Sequence, residues 1–447
     1  MNWAEKEFKT MALGDARLDR RAVLLAEQFA HKPGASIPQA CGNWAGTAAA
    51  YRFLSNDSVD AQAVLQAHVD ASVLRIGHHP VVLCLQDTTE LDFRGQDTEG
   101  LGPLSYEAQR GLYLHPTYAV TPGREPLGLV NSWNWAREFK PKDGGPRPGV
   151  LESQRWLESY ARLVDLAAEL PATRLVHVAD RESDLMALLQ LAQRSGHAVD
   201  YVIRAQHNRV LPGKQAGKLW QQVMATTVLG RIGFQMPAGR GRRARWVEQE
   251  LRAKRVVLKA HKDPLEQVEV TCLIALEVGA PIGVAPVVWR LLSNRPVDTL
   301  EQALEMVQWY QARWEIEMFF NMLKEGCRVE QLQLCHIDRI YTALALYMVV
   351  AWRINRLMRL GRQLPDLPAD LLFDDDEWQA AFILNRKKPP KEAPPLNTVM
   401  RLVAQLGGFL GRKDDGEPGA KTLWLGLREI AIFVQGIRFA RELGAYV

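Results

Sequence analysis

An α/β fold is predicted, built on a mixed sheet, with helical segments at both ends of the chain and a β-rich insertion late in the sheet. Three observations predict it. Strand-like and helical runs follow one another between residues 81 and 204 in the order β-β-β-α-β-α-β. Two of the strand-like runs, VVLCLQ and LVHVA, stop abruptly at acidic residues, Asp87 and Asp180. A basic, β-rich stretch then separates the last of these strands from a helical run that contains Trp309 to Lys324.

The chain has 447 residues, 47% hydrophobic and 24% charged, the balance of an ordinary globular protein with a sizeable core. That length suggests two or three units. The boundaries expected from the pattern are a helical unit at 1–70, an α/β unit at 71–370 that contains the insertion at about 207–285, and a helical region at 371–447. The N-terminus is charged from its fifth residue, and no run of eighteen apolar residues occurs, which argues against export and membrane insertion. The expected location is the cytoplasm. The five cysteines form no C-x-x-C pair and the ten histidines no H-x-x-x-H spacing, so neither a disulfide framework nor a zinc site is indicated.

The net charge of +4 is unevenly spread. From His207 to Lys262 thirteen Lys or Arg face only Glu248 and Glu250, a local balance of +11. Charges so concentrated repel one another unless a polyanion lies against them, which favours a nucleic-acid partner over a small neutral substrate. Trp220, Phe234 and Trp246 are interleaved with them and suit either a small β core or such a surface.

In chain order, the first 70 residues read as short helices around a Pro-punctuated turn, with Arg17, Arg20 and Arg21 close together on one and Arg52 on another. VVLCLQ (81 to 86) is a continuous apolar run, as in a strand buried on both faces. YLHPTYAV and PLGLVNSWNW are the next two strands, followed by a helix from about Glu152 to Glu169. LVHVA (175 to 179) runs into Asp180, and VDYVIRA carries Arg204. RIGFQMPAG, RVVLKA and VEVTCLIAL give the insertion its β character, and PVVW is a strand that ends at Trp289. Beyond the helical run, Ile337 to about Arg362 reads as another helix. FDDDEW and NRKKPPKEAPP then break the pattern before two last helical stretches.

Trp309 to Lys324 contains no Gly or Pro, and Asp298 upstream and Gly326 downstream bracket it, so one long helix is predicted. On a wheel of about 100 degrees per residue, Tyr310, Arg313, Glu317 and Lys324 fall on one stripe. Ile316, Met318, Phe319, Phe320, Met322 and Leu323 cover most of the remaining surface, the pattern of a buried helix. A mixed-charge stripe there costs several kcal/mol if dry and unpaired. An Arg313 to Glu317 pair is one resolution. A divalent cation on Glu317, with a phosphate on the Tyr, Arg and Lys, is another. Asp87 and Asp180, at two strand ends, can reach the same place as Glu317. Three converging carboxylates repel, and a pair of Mg²⁺ ions is the usual resolution in phosphoryl-transfer sites.

These residues carry a resemblance. YQARWEIEMFFNMLK fits the Y-x2-R-x3-E-x6-K signature of bacterial DDE transposases of the insertion-sequence-four family at every spacing, and QDTTELDF and VADRESD fit that family's first and second Asp motifs. ALGDARLDRR, AYRFLSN and LGGFLGRKDDGEPG extend the resemblance over nearly the whole chain. The chain departs from the family at Leu18 and Asn321, where the family has basic residues. The resemblance implies an RNase H-like catalytic domain with a β insertion before the catalytic Glu, a DNA-binding N-terminal unit and a C-terminal dimerisation region. Carried over residue by residue, it implies Asp87, Asp180 and Glu317 as catalytic metal ligands for two Mg²⁺ ions, with Mn²⁺ a substitute. Arg204, Tyr310, Arg313 and Lys324 would hold DNA phosphates, and Trp289 would stack on a flipped base. The N-terminal arginines, Arg17, Arg20, Arg21 and Arg52, agree with contact to transposon-end DNA.

The expected function is cut-and-paste transposition by a homodimer in the bacterial nucleoid, acting on double-stranded DNA at terminal inverted repeats and at a target. Two other readings are a catalytically silent end-binding repressor and a two-carboxylate glycosidase. Intact Asp87, Asp180 and Glu317 oppose the first; the second has no use for a +11 segment.

Overall fold

A computed structural model describes residues 3–213, 217–236, 238, 243–259, 266–413 and 415–444. The N-terminal helices are α1 (Trp3–Glu7), α2 (Ala16–His31), α3 (Ile37–Cys41), α4 (Trp44–Leu54) and α5 (Ala61–Ile76). Short polar side chains start three of them: Asp15, Asn43 and Asp60 each accept from a backbone N–H of the first turn. The last of these helices, α5, ends at Ile76.

Next come β1 (Val81–Gln86), β2 (Thr89–Asp92), β3 (Gly102–Pro103), β4 (Arg110–Val120), β5 (Pro126–Trp135), α6 (Glu152–Glu169), β6 (Arg174–Ala179), α7 (Met186–Arg194) and β7 (Asp200–Arg204). Strand β1 pairs antiparallel with β4 and parallel with β6, β6 is parallel to β7, and β5 is antiparallel to β4. The order β5-β4-β1-β6-β7 is an RNase H-like mixed sheet. Its two faces are covered by different helices, α6 and α7 on one and the α5 side on the other. Gly128 of β5 has φ +139, and a Cβ there would lie 1.9 Å from Ser72 Oγ, so only glycine lets α5 approach the sheet this closely.

The insertion holds β8 (Val210–Leu211), β9 (Gly217–Lys218), α8 (Leu219–Met224), β10 (Gly230–Met236), β11 (Arg245–Lys259) and β12 (Gln267–Glu277), and β13 (Val288–Ser293) returns from it. It is not a separate β unit. Strand β13 pairs antiparallel with β7, so β10-β11-β12-β13 continue the central sheet, to eleven strands among the described residues. Trp289 accordingly lies near the start of β13 and not at the end of a strand.

Part of the expected excess of positive charge is answered within the fold, three of the eleven charges by acids from outside the window. Arg209 pairs with Asp184, Arg231 with Glu248 and Glu250, Arg245 with Glu277, and Arg255 with Glu269. Asp184, Glu269 and Glu277 lie outside the counted window, which is why a linear count missed them. Lys218, Arg243 and Lys259 remain exposed. Lys214, Arg240, Arg242 and Lys262 lie outside the described residues.

The predicted long helix is divided into α9 (Leu300–Gln311) and α10 (Trp314–Asn321), with a single π-turn from Met322 to Gly326. Thr299, one residue after Asp298, is the cap, in a capping box with Gln302. At the break Arg313, Glu315 and Ile316 donate to carbonyls three residues back instead of four, a local tightening that re-aims the following helix.

The last elements are α11 (Ile337–Gln363), α12 (Asp375–Leu384), α13 (Leu396–Leu406) and α14 (Ala420–Glu442). FDDDEW begins a helix instead of breaking one, because Asp374 and Glu377 form a capping box. Helix α11 is buried around nearly its whole circumference and packs against α2, α5, α10, α13 and α14, so the N- and C-terminal helices share one core with the sheet. Among the described residues no helix is long and apolar enough to cross a membrane, and all five cysteines are free, only Cys335 being exposed.

Candidate active site

Register alone brings two acids together. Gln86, the last residue of β1, is paired with Ala179, the last residue of the parallel strand β6, so Asp87 and Asp180 leave adjacent strands at the same level. Ile203 is paired with Ala179, which sets Arg204 at that level on the next strand. Helix α9 lies over β6 and β7, and α10 lies over β1, so the polar stripe of α9 and α10 faces this edge.

Side chains close the cluster. Arg313 Nη1 donates to Asp87 and lies 3.4 Å from Glu317 Oε1. The Tyr310 hydroxyl is 3.5 Å from Asp180 Oδ1, and Arg204 Nη1 is 3.8 Å from the same oxygen. Thr88 N–H donates to Asp87 Oδ1 at 2.8 Å. The Arg313 side chain is 10% exposed, Asp87 20% and Glu317 42%, so the site is sunken at Asp87 and open at Glu317. Lys324 stands in the π-turn, half-exposed, and pairs with no acid among the described residues.

The electrostatics show too little positive charge for the acids. Burial pushes the Asp87 carboxyl up to about 6 against the pull of Arg313, and the nearby Glu317 and Asp180 add to the rise. Burial opposes the Arg313 charge, yet Asp87, Tyr310, Asp180 and Glu317 hold it firmly charged. One guanidinium is shared among several anions, so it is well satisfied while Asp87 is not. A hard divalent cation suits such an all-oxygen donor set. Among the described residues, however, no three acidic, His or Cys side chains stand close enough together to hold an ion, and Arg313 lies between Asp87 and Glu317. The carboxylates suit such an ion in kind, while Arg313 stands between two of them.

A raised acid pKa fixes a sign. Between the ordinary value of 3.8 and about 6 the folded chain binds the proton that the unfolded chain has released, so this group's contribution is full below about 4 and is lost as pH rises through 6. Asp87→Asn should therefore gain stability relative to the wild type between pH 4 and 7, by on the order of 1–3 kcal/mol. Denaturant melts across that range check it. A stability difference independent of pH rejects it.

Glu315 and Arg359 are contributors that no sequence pattern singled out. Glu315 is buried and held by Arg359 of α11, Nε to Oε2 2.7 Å, which clamps α10 from the side opposite Glu317. A lone acid on the apolar part of the wheel was the available signal. Trp314, next to Arg313, is 64% exposed. Trp289 stacks on Phe234 of β10 with centroids 5.5 Å apart and planes 12° apart, and lies tilted beside Tyr310 at 6.5 Å. Phe234 and Arg359 come from remote elements, and no local pattern pairs them with Trp289 and Glu315. The N-terminal arginines stand apart from the cluster: Arg17 pairs with Asp15 at 2.8 Å, Arg20 is exposed, Arg21 is half-buried, and Arg52 Nε donates to the Ala48 carbonyl.

Three family models match the chain. Residues 1–59 match a transposase DNA-binding domain, residues 160–352 a transposase DDE domain, and residues 349–446 a Tn5 transposase dimerisation domain. Asp180 and Glu317 fall within the DDE match, and Asp87 precedes it. Among solved structures, a piggyBac transposase synaptic complex with hairpin DNA is similar at 10% identity, with 78% of this chain and 66% of that chain covered and a TM-score of 0.35. This chain thus spans less than two thirds of that one, and a likeness so distant says nothing about function.

Proposed function

A DDE transposase resembling that of Tn5 is what the three matched domains together show this chain to be, and on that premise we propose that it performs cut-and-paste transposition. The substrate is double-stranded DNA at the terminal inverted repeats of the element. One strand is nicked at the end, the freed 3′-OH attacks the opposite strand to form a hairpin, and the reopened 3′-OH ends are joined to target DNA. What carries the reading is the gathering of Asp87, Asp180 and Glu317 around Arg313, Tyr310 and Arg204 at one edge of the sheet.

In this reading Asp87, Asp180 and Glu317 would hold two Mg²⁺ ions, for which Mn²⁺ could substitute. Such ions, when bound, activate a water or 3′-OH nucleophile and stabilise the leaving oxygen. The chain's own groups do the rest. Arg313 releases the acids and takes a phosphate oxygen as a charge-assisted donor, joined by Arg204, Tyr310 and Lys324. The Glu315 to Arg359 clamp keeps α10 from rocking as Glu317 changes partner. Restraint of this kind matters because in-line transfer depends on positioning and charge stabilisation more than on covalent help.

Each element has two ends, and both must meet one target, so the active form is a homodimer that bridges two DNA duplexes. The dimerisation match and the exposed Ile432, Phe439 and Leu443 on and just beyond α14 support this. The experiment uses duplexes taken from the DNA that flanks the coding region, incubated with Mg²⁺ and the full chain. Nicked and hairpin products should form in a complex that contains two protein chains. Cleavage by a complex with one chain would reject the dimer, and no cleavage of any flanking repeat would reject the function.

A further inference from the structure

Beneath Asp87 and Asp180, on the face of the sheet opposite α9 and α10, lies a buried polar layer that the proposed chemistry does not use. Strand alternation puts Cys84 and Gln86 of β1, His115 and Thr117 of β4, and His177 of β6 on this face. Both histidines are fully buried against α6: the His115 ring meets Trp156 edge-on at 4.4 Å, and the His177 ring meets Tyr160 edge-on at 5.5 Å.

This layer is costly. His115 Nε2, His177 Nδ1 and both amide atoms of Gln86 are buried with no hydrogen-bond partner among the described residues. Apolar side chains of similar shape would avoid that penalty. The return must lie in the bonds that the imidazoles do make, and each goes to a hydroxyl near one of the aspartates.

His115 Nδ1 is 2.9 Å from Thr88 Oγ1, and the same Thr88 orients Asp87 through its N–H. His177 Nε2 is 2.9 Å from Ser183 Oγ, and Ser183 N–H donates at 3.1 Å to the Asp180 carbonyl, closing the turn that Asp180 begins. We infer that His115 and His177 are positioning residues for divalent-metal binding: His115 holds Thr88, whose N–H fixes the Asp87 carboxylate, and His177 holds Ser183, whose N–H fixes the turn that presents Asp180. Burial holds both imidazoles far down, to about 3, with Arg155 reinforcing this at His115, so both posts stay neutral over the working range. Outer partners of this kind orient ligands in many metal sites.

The inference rests on the metal-binding role proposed above, and the test separates the two. Mn²⁺ binding to the full chain is titrated by electron paramagnetic resonance, without DNA, beside thermal melts. Wild-type binding that Asp87→Ala leaves unchanged would overturn the metal reading and this inference with it. Given binding that depends on Asp87, the isosteric changes His115→Phe and Thr88→Val should each weaken Mn²⁺ about tenfold, the usual scale for loss of an outer partner. The double variant should be no worse than either single. His177→Phe and Ser183→Ala should behave in the same way. His115→Asn and His177→Gln, which restore a nitrogen at the bonding position, should recover most of the affinity. Should the Phe variants not fold, Thr88→Val and Ser183→Ala carry the test alone. Unchanged Mn²⁺ affinity in folded variants, or additive losses in the double variant, would overturn the inference.

Discussion

Replacing Asp87, Asp180 or Glu317 with alanine should abolish strand cleavage, with a rate loss on the order of 10³ or more, while DNA binding is nearly retained. The size follows from chemistry that depends on charge stabilisation worth several kcal/mol at the reacting oxygens, each ~1.4 kcal/mol being a factor of ten. The three losses differ in what they leave behind. Asp87→Ala frees Arg313 from its closest acid, yet Glu317 remains 3.4 Å away to compensate it. Glu317→Ala removes a half-exposed side chain and should scarcely alter stability. Asp180→Ala leaves Tyr310 and Arg204 without their shared acceptor. Gel-resolved cleavage in Mg²⁺, beside a binding assay and a melt, tests all three. A folded variant that cuts at near wild-type rate takes that residue out of the catalytic set.

The second large effect is expected at Trp289. Hairpin formation bends the DNA end sharply and unstacks a base, at a cost of a few kcal/mol. Stacking on an indole returns about 1–3 kcal/mol of that. Trp289 has the right neighbourhood: Tyr310 lies tilted beside it at 6.5 Å, and Tyr310 in turn reaches Asp180. Phe234 already covers one face of the indole, so a base must use the other face or displace Phe234. Trp289→Ala should therefore slow hairpin formation about tenfold to a hundredfold and leave first-strand nicking much less affected, with Trp289→Phe in between. The residue is also partly buried and packed against the core, which makes the melt an essential companion measurement. Equal loss of both steps in a folded variant would assign Trp289 to the core.

The sequence by itself determined the local geometry of the site. Continuous apolar runs ending in Asp87 and Asp180 marked two buried strands and their ends, and the spacing of Tyr310, Arg313, Glu317 and Lys324 marked one helical stripe, because side-chain periodicity is a property of the nearest few residues. Across the break at Arg313, Tyr310 still reaches Asp180 and Arg313 still lies between Asp87 and Glu317, while Lys324 stands in the π-turn. Only the tertiary structure decided what depends on partners far along the chain. The pairing of β13 with β7 merged the insertion into the main sheet. Three acids outside the basic window answered part of its charge. Glu315 found Arg359, Trp289 found Phe234, and His115 and His177 came to lie under the two aspartates. Each of these is a pairing across tens to hundreds of residues, and strand register and packing select it, whereas a linear pattern records only what each residue can offer.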